Sequence, residues 1–205
     1  MSRGLGDVYK RQHGVHILFD NKVILGTRAR KTHTKSFNAF KSIDFPEIAI
    51  VRDRRVRYYI EEKVSEDGPD FYTSLDPKVF VLRLVPGMNP DIFSFLKEHY
   101  DGLVIESFGV GGIPCYDNES FVDAVADWIA CGKALVMTTQ VPHEGSDMSV
   151  YMVGQVIKKK YRLIEAYDMT TEAIVAKLMW ILAQTKKPAE VREMFYRPVQ
   201  NDLNI

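Results

Sequence analysis

The amino-acid sequence predicts an α/β fold, in which a parallel-sheet domain of the flavodoxin-like, βαβ type follows a β-hairpin. Three observations lead to this prediction. From residue 79 onward, short apolar runs alternate with amphipathic segments of helical length, the pattern of βαβ units. Residues 15–19 and 23–25 predict two strands joined by a turn. The central apolar run ends in the glycine-rich turn of residues 109–112, as expected where a buried strand opens onto a cleft.

The amino-acid composition limits the classes of protein to which this chain can belong. The chain has 205 residues, of which 46% are apolar and 26% charged, so it can bury a core. Lysine plus arginine and aspartate plus glutamate each number 27, so the overall balance favours neither a nucleic-acid nor a membrane partner. No apolar run reaches the ~18 residues that span a bilayer, and no signal peptide is recognisable. We therefore expect a cytoplasmic protein.

The cysteines and histidines do not predict a metal site. Cys115 and Cys131 have no metal-ligand spacing to each other or to a histidine. In a cytoplasmic protein such cysteines are expected to be reduced thiols. We therefore predict neither a metal nor another cofactor.

The first 77 residues are predicted in three parts before the regular pattern begins. Residues 1–12 lack any periodicity and are interpreted as a non-native or artefactual leader. The hairpin at residues 15–25 turns at Asp20-Asn21, and a basic, then aromatic, irregular segment follows it. Residues 51–77 are rich in charges and contain prolines, so we interpret them as a connector, with a surface strand pair at its start.

The regular C-terminal domain is predicted over residues 78–205. Its predicted elements are strand 79–85, helix 90–99, strand 103–107, helix 118–130, strand 134–138, helix 150–157, helix 173–182, a short helix from Pro188 and a polar tail at 199–205. Parallel strands with right-handed crossovers follow from this order. Phe93 and Phe95 are both expected to face the core, and Thr170 or Thr171 to cap the helix that follows. The basic run 158–162 is interpreted as a solvated helix end.

Four separated blocks of the sequence resemble the type I (cytoplasmic) bacterial branch of the L-asparaginases, within the asparaginase/glutaminase family. They are GTRARKTH from Gly26, ESFGVGG from Glu106, TTQ from Thr138 and DMTTEA from Asp168. The resemblance implies that residues 13–50 are the tail of a truncated N-terminal α/β domain. It also implies that residues 78–205 are the C-terminal asparaginase domain.

The resemblance implies site residues as well. The lysine of the GTRARKTH-like run belongs to the family's Thr-Asp-Lys catalytic group, so Lys31 is the candidate catalytic residue. A lysine shielded from water can share a proton with a neighbouring hydroxyl. The loop after the central strand completes the neighbouring subunit's site in the family, which makes Ser107, Gly111 and Gly112 candidate substrate-binding residues. Many members carry asparagine where this chain has Gly112, so a side-chain hydrogen bond from that position is not implied.

Amide hydrolysis needs a nucleophile, a group that takes its proton, and donors for the oxyanion. The family's two threonines and aspartate lie in T-G-G-T-I and H-G-T-D-T-M strings, and neither string occurs in this chain. Our hypothesis is a fragment of an L-asparaginase, which hydrolyses L-asparagine to L-aspartate and ammonia through a threonine outside this chain. We expect the fragment alone to be inactive and the full-length protein to be a homodimer or homotetramer.

Two alternatives remain open. One is a stand-alone, non-catalytic α/β module that binds a small anion at the glycine turn, which would account for the missing nucleophile. The other is a glutaminase or an amidotransferase-associated subunit, which shares the family's fold and differs in substrate.

Overall fold

The computed structural model describes residues 14–60, 70–114, 120–150, 155, 161 and 163–204. The N-terminal part contains β1 (His16–Phe19), β2 (Lys22–Leu25), β3 (Ala29–Lys31), β4 (Phe40–Ser42), β5 (Ala49–Arg52) and β6 (Arg55–Tyr58). Four of these strands form an antiparallel sheet in the order β1-β2-β5-β6, and β3 pairs with β4 in a separate two-stranded sheet.

Both hairpins of the larger sheet turn through two residues with positive φ. Asp20 and Asn21 have φ of 48° and 61°, and Asp53 and Arg54 have φ of 51° and 59°. Two consecutive residues of this kind are typical of turns whose twist matches that of the flanking strands. The predicted hairpin at Asp20-Asn21 is confirmed, as is the strand pair at the start of the predicted connector.

Residues 26–31 are more regular than the sequence predicts. A 3-10 turn at Gly26–Arg28 leads directly into β3, whose Lys31 lies opposite Phe40 of β4. The pairing joins segments separated by a long loop, and β3 carries two cations, so no alternation of apolar residues marks it.

The C-terminal domain contains β7 (Val79–Arg83), α1 (Ile92–His99), β8 (Gly102–Ser107), α2 (Ser120–Ala130), β9 (Ala134–Thr139), β10 (Ile164–Glu165), α3 (Thr171–Gln184) and α4 (Pro188–Tyr196). Its strands are all parallel and lie in chain order, β7-β8-β9-β10. The predicted α/β fold, with a parallel sheet after an antiparallel N-terminal hairpin, is therefore confirmed.

Helices cover both faces of the parallel sheet. Leu103 and Ile105 of β8 pack with Trp128 in the core under α1 and α2, whereas Val104 packs with Leu178 in the core under α3 and α4. Successive residues of a strand point to opposite faces, so a continuous apolar run is what a doubly covered strand needs. All six residues of β8 are buried.

The described helices begin within two residues of their predicted starts, whereas β10 was not predicted from the sequence. Thr170 caps α3, because its hydroxyl accepts a hydrogen bond from the amide of Ala173 at 3.2 Å. Phe93 is buried in α1, but Phe95 is 56% exposed, so its prediction as a core residue is wrong. Two residues along a helix correspond to about 200° of rotation, which turns Phe95 away from the sheet.

The C-terminal tail packs onto the domain. Asp202 and Leu203 are buried, and Asp202 forms an ion pair with Lys177 of α3 at 2.8 Å. Strands β5 and β6 continue the N-terminal sheet across the predicted boundary at residue 50, and the division into domains stays a prediction.

Several predictions concern residues that the structure does not describe. The leader 1–12 and Cys115 lie outside the described residues, as does most of the helix 150–157 and of the basic run 158–162. No helix in the described part of the chain is long and apolar enough to cross a membrane.

Candidate active site

The candidate site lies at the carboxyl ends of the parallel strands, where ligands bind in open α/β sheets. Strands β8 and β9 end together, with Ser107 in register with Thr139. The chain leaves β8 through the turn formed by residues 108–112. We call this segment the glycine turn.

Backbone hydrogen bonds close the glycine turn on Phe108. The amide of Phe108 donates to the carbonyl of Gly112 at 2.9 Å, and the carbonyl of Phe108 accepts from the amides of Gly111 and Gly112 at 3.1 and 2.7 Å. Gly111 has φ of +140°, and a Cβ there would lie 3.2 Å from Cγ of Met148. Both the conformation and the contact favour glycine at this position.

The end of β9 holds the turn in place. The hydroxyl of Thr139 donates to the carbonyl of Gly109 and accepts from the amide of Val141 at 3.0 Å. The side-chain amide of Gln140 donates to the carbonyls of Leu84 and Glu106, at 2.6 and 3.1 Å. Gln140 thereby ties together the ends of three strands. The sequence marked Thr139 and Gln140 only as part of the TTQ block.

Two backbone donors remain at the tip of the turn. Among the described residues, the amides of Gly109 and Val110 have no hydrogen-bond acceptor, and Gly109 is exposed. Backbone amides that converge in a tight turn are suited to bind anionic groups such as a carboxylate or an oxyanion.

The predicted substrate-binding residues lie together but are not equally accessible. Ser107 is fully buried, and its hydroxyl donates to the carbonyl of Thr138 at 2.6 Å. Gly111 is buried and Gly112 is half-buried. The Ser107 hydroxyl therefore organises the strand ends here, and a substrate contact from it would require the turn to open. The substrate-binding role of these three residues stays a prediction.

A buried carboxylate lies beside the turn on the other face of β8. One oxygen of Glu106 accepts from the hydroxyl of Thr171 at 2.7 Å, at the start of α3, and the other lies 3.9 Å from Arg83. The side chain of Glu106 is 8% exposed. Sequence reasoning did not select Glu106 as a site residue, although a charged residue in an otherwise apolar strand was a signal for it.

Lys31 lies apart from the glycine turn, at the end of β3. Its side chain is exposed, with Nζ 6.0 Å from the centroid of the Phe40 ring. Within the described ranges, no hydrogen bond or ion pair joins Lys31 to residues 107–112. The structure thus brings the turn residues together but does not bring Lys31 into contact with them, and the catalytic role of Lys31 stays a prediction.

Arg28, three residues before Lys31, anchors this segment to the C-terminal domain. Its guanidinium is fully buried, donates to the carbonyl and the carboxylate of Asp168 at 2.9 Å each, and donates to the carbonyl of Asn201 at 2.5 Å. It also lies over the ring of Phe45. Three hydrogen bonds from one planar guanidinium fix its orientation as well as its distance, so β3 has a defined position relative to the start of α3.

A cavity of about 800 Å³ lies elsewhere, at the amino ends of β9 and β10. Its lining includes Lys133, Leu163, Lys186 and Arg192. Lys133 and Lys186 already pair with Asp101, so these cations are not free for a ligand. We place the candidate site at the glycine turn because of its unpaired donors and its strand ends. No cluster of three or more potential metal-ligating side chains is found in the part of the chain that the structure describes.

Comparison with known proteins identifies the family. The Glutaminase/Asparaginase C-terminal domain matches residues 78–195, and the Asparaginase, N-terminal domain matches residues 5–64. The L-asparaginase of Thermococcus kodakarensis is 36% identical over 190 residues, which cover 93% of this chain and 57% of that protein. Its solved structure matches with a TM-score of 0.87.

Other relatives differ in name. A Glutamyl-tRNA(Gln) amidotransferase subunit of Thermofilum pendens is 34% identical over 174 residues, covering 83% of this chain and 38% of that protein. L-asparaginase I of Vibrio cholerae, 24% identical over 93% of this chain and 57% of its own, shares the fold with a TM-score of 0.80. The chain thus spans about half the length, or less, of the relatives it matches. The C-terminal domain match alone covers more than half of its residues, and the chain therefore belongs to the glutaminase/asparaginase family.

Proposed function

We propose that this chain is part of a type I L-asparaginase, which hydrolyses the side-chain amide of L-asparagine to L-aspartate and ammonia. One observation carries the proposal: the 36% identity with an L-asparaginase extends over 93% of the chain. That stretch necessarily includes both Lys31 and the glycine turn.

The proposed chemistry divides between a nucleophile and supporting groups. A threonine hydroxyl attacks the side-chain amide carbon of asparagine and ammonia leaves, which produces an ester between the threonine and the aspartyl group. Water then hydrolyses this ester and releases aspartate. Lys31 shares a proton with a neighbouring threonine hydroxyl. Because Lys31 is exposed here, this role requires another surface that shields its ammonium from water. The T-G-G-T-I and H-G-T-D-T-M strings are absent from these 205 residues, so we propose that the chain alone is inactive.

The glycine turn has the supporting role in the proposal. The free amides of Gly109 and Val110 offer donors for a carboxylate or an oxyanion, while Ser107, Gly111 and Gly112 shape the turn that presents them. In the proposed homodimer or homotetramer, this turn contributes to the neighbouring subunit's site. A cytoplasmic location is part of the same proposal.

A second candidate function is hydrolysis of a glutamine amide. It is favoured by the 34% identity with a Glutamyl-tRNA(Gln) amidotransferase subunit. The two candidates share the attacked group and differ by one methylene in the substrate. Such a difference is worth about 1–3 kcal/mol in a fitted pocket, so a comparison of the two amides separates them.

A chimera tests the proposal. Residues 14–204 would replace the aligned segment of the Thermococcus kodakarensis L-asparaginase, and ammonia release would be measured from L-asparagine and from L-glutamine. We expect asparagine to be preferred, and Lys31→Met to lower the rate about 100-fold or more. Lys41→Met is the matched control, since Lys41 is an exposed lysine on the paired strand β4.

Three results would count against the proposal. If the Lys31→Met chimera were as active as its parent, Lys31 would not be a catalytic residue. Preference for glutamine would favour the second candidate. Hydrolysis of asparagine by the 205-residue chain alone, at rates typical of enzymes, would contradict the proposed inactivity.

A further inference from the structure

The hairpin of β5 and β6 concentrates positive charge that the whole-chain balance conceals. Residues 52–57 contain Arg52, Arg54, Arg55 and Arg57 with a single aspartate, in a chain whose formal net charge is zero. All four arginines are exposed. We call them the arginine cluster.

Strand register places most of the arginine cluster on one face of the sheet. Arg52 lies directly opposite Arg55, and Ile50 lies opposite Arg57. Directly opposed residues of an antiparallel pair share a face, as do alternate residues of one strand. Arg52, Arg55 and Arg57 therefore project from the same side. Among the described residues β6 is also the edge strand of its sheet, so in that part of the chain this face is open along one border.

The arginine cluster is not neutralised by the part of the chain that the structure describes. None of its four members lies within 4.0 Å of a described carboxylate. By contrast, Lys22 on the same sheet pairs with Glu47 at 2.8 Å, and the exposed Lys187 and Arg197 each pair with a glutamate. Like charges directly across two strands are destabilising, so the opposed pair Arg52 and Arg55 is suited to a shared anionic partner.

An exposed aromatic residue continues the line of arginines. Tyr59 follows β6, its amide donates to the carbonyl of Ile48 at 2.8 Å, and its side chain is 65% exposed. The amide of Ile60 donates to the same carbonyl at 3.3 Å, so Tyr59 lies at the bend where the ladder ends, two residues after Arg57. Arginines that track phosphates beside an aromatic ring that stacks on bases form the common arrangement of single-stranded nucleic-acid binding.

We propose that the arginine cluster and Tyr59 form a binding surface for single-stranded nucleic acid. The planar guanidinium binds phosphate oxygens through two parallel hydrogen bonds, which favours phosphate over a less regular array of carboxylates. The open edge of β6 lets an extended strand lie along the sheet. The surface is sequence-tolerant, since its contacts are to phosphates and to the face of a base.

Binding of a fluorescein-labelled, single-stranded RNA of about 20 nucleotides to the full chain tests the proposal by anisotropy at several salt concentrations. The test variant is R52Q/R55Q/R57Q. The control is K97Q/K187Q/R197Q, which removes the same charge from exposed or half-exposed cations that have carboxylate partners. We expect the test variant to weaken binding about tenfold or more at about 50 mM salt. It should also lower the slope of log affinity against log salt by about 2, since each lost phosphate contact removes about 0.7.

Further measurements separate base stacking from charge. Tyr59→Ala should weaken binding severalfold with the salt slope unchanged, because stacking releases no counterions. Far-ultraviolet circular dichroism checks that each variant keeps its fold, which substitution of exposed side chains should not change.

Three results would overturn the proposal. Equal weakening by the control variant would show that binding is general electrostatics. Competition by poly-glutamate at equal charge, as effective as by unlabelled RNA, would assign the surface to an acidic protein segment. No binding by the unaltered chain at about 50 mM salt would leave the arginines as a solvated, charged sheet edge that prevents strand addition.

Discussion

The buried ion pair between α3 and the C-terminal tail gives the sharpest test of how this domain is held together. Nζ of Lys177 lies 2.8 Å from Oδ2 of Asp202, and the two side chains are 4% and 2% exposed. Nζ also donates to the carbonyl of Arg197, and the other oxygen of Asp202 accepts from the amide of Val199. Lys177→Met keeps a similar length of side chain but leaves the Asp202 carboxylate buried without its cation.

Removal of one partner of a buried pair costs about 3–5 kcal/mol. The tail can lower this cost by detaching, but detachment exposes Leu203, and burial of such a side chain is worth about 1.5–3 kcal/mol. We therefore expect the free energy of unfolding to fall by an amount near the lower end of this range, about 3 kcal/mol. For a chain of this size each kcal/mol lowers the melting temperature by about 2–4 °C, so the expected fall is about 6–12 °C.

Chemical denaturation followed by tryptophan fluorescence measures the loss, with Trp180 of α3 as a local probe. The double variant K177M/D202N removes both charges and should recover most of the stability. Lys187→Met is the matched control: Lys187 is a lysine on the same domain whose partner Glu190 is exposed, and it should show no measurable change. A loss below about 1 kcal/mol, or additive effects of the two substitutions, would refute the reasoning.

Three other predictions concern packing and charge. Gly111→Ala should destabilise more than Gly109→Ala by urea denaturation, because both have positive φ but only Gly111 meets another residue at its Cβ position; equal losses would contradict this. Phe93→Ala should cost about 3–5 kcal/mol in the same assay, since the ring is fully buried, and a loss below about 1 kcal/mol would contradict the packing. Burial opposes ionisation of Asp101, but hydrogen bonds from Lys186 and a second lysine outweigh it and lower its pKa. This stabilisation is present above pH ~4 and lost as pH falls through the lowered pKa. Lys186→Met should therefore cost at most about 1 kcal/mol at neutral pH, since its ammonium is half exposed, and progressively less below pH ~4; a loss that grew on acidification would have the wrong sign.

The main elements of the C-terminal domain could be predicted from local patterns. The run that became β8 is apolar at successive positions because helices cover both faces, and that signal is carried by neighbouring residues. Thr170 was predictable as a cap because the hydrogen bond that it accepts reaches only three residues along the chain. Phe95 was not, because an apolar residue beside the core stripe has the same local signature as one within it.

The candidate site was only partly predictable. The glycine turn could be located because positive φ and close packing restrict the residue type. Its two free amides, and the use of the Ser107 hydroxyl by the neighbouring strand, could not be foreseen. The hydrogen bonds of Gln140 could not be predicted either, because its partners, Leu84 and Glu106, are 56 and 34 residues away in sequence.

By itself, then, the sequence determined the fold class, the order of the C-terminal elements apart from β10, the turn at the end of the central strand and the resemblance to a family. These features depend on periodicity and on residues close together in the chain. Only the tertiary structure decided that Arg28 is buried against Asp168, that Lys31 is exposed, and that three of the four arginines of the arginine cluster lie on one sheet face. Each of those outcomes depends on strand register or on contacts between distant segments, which no local pattern encodes.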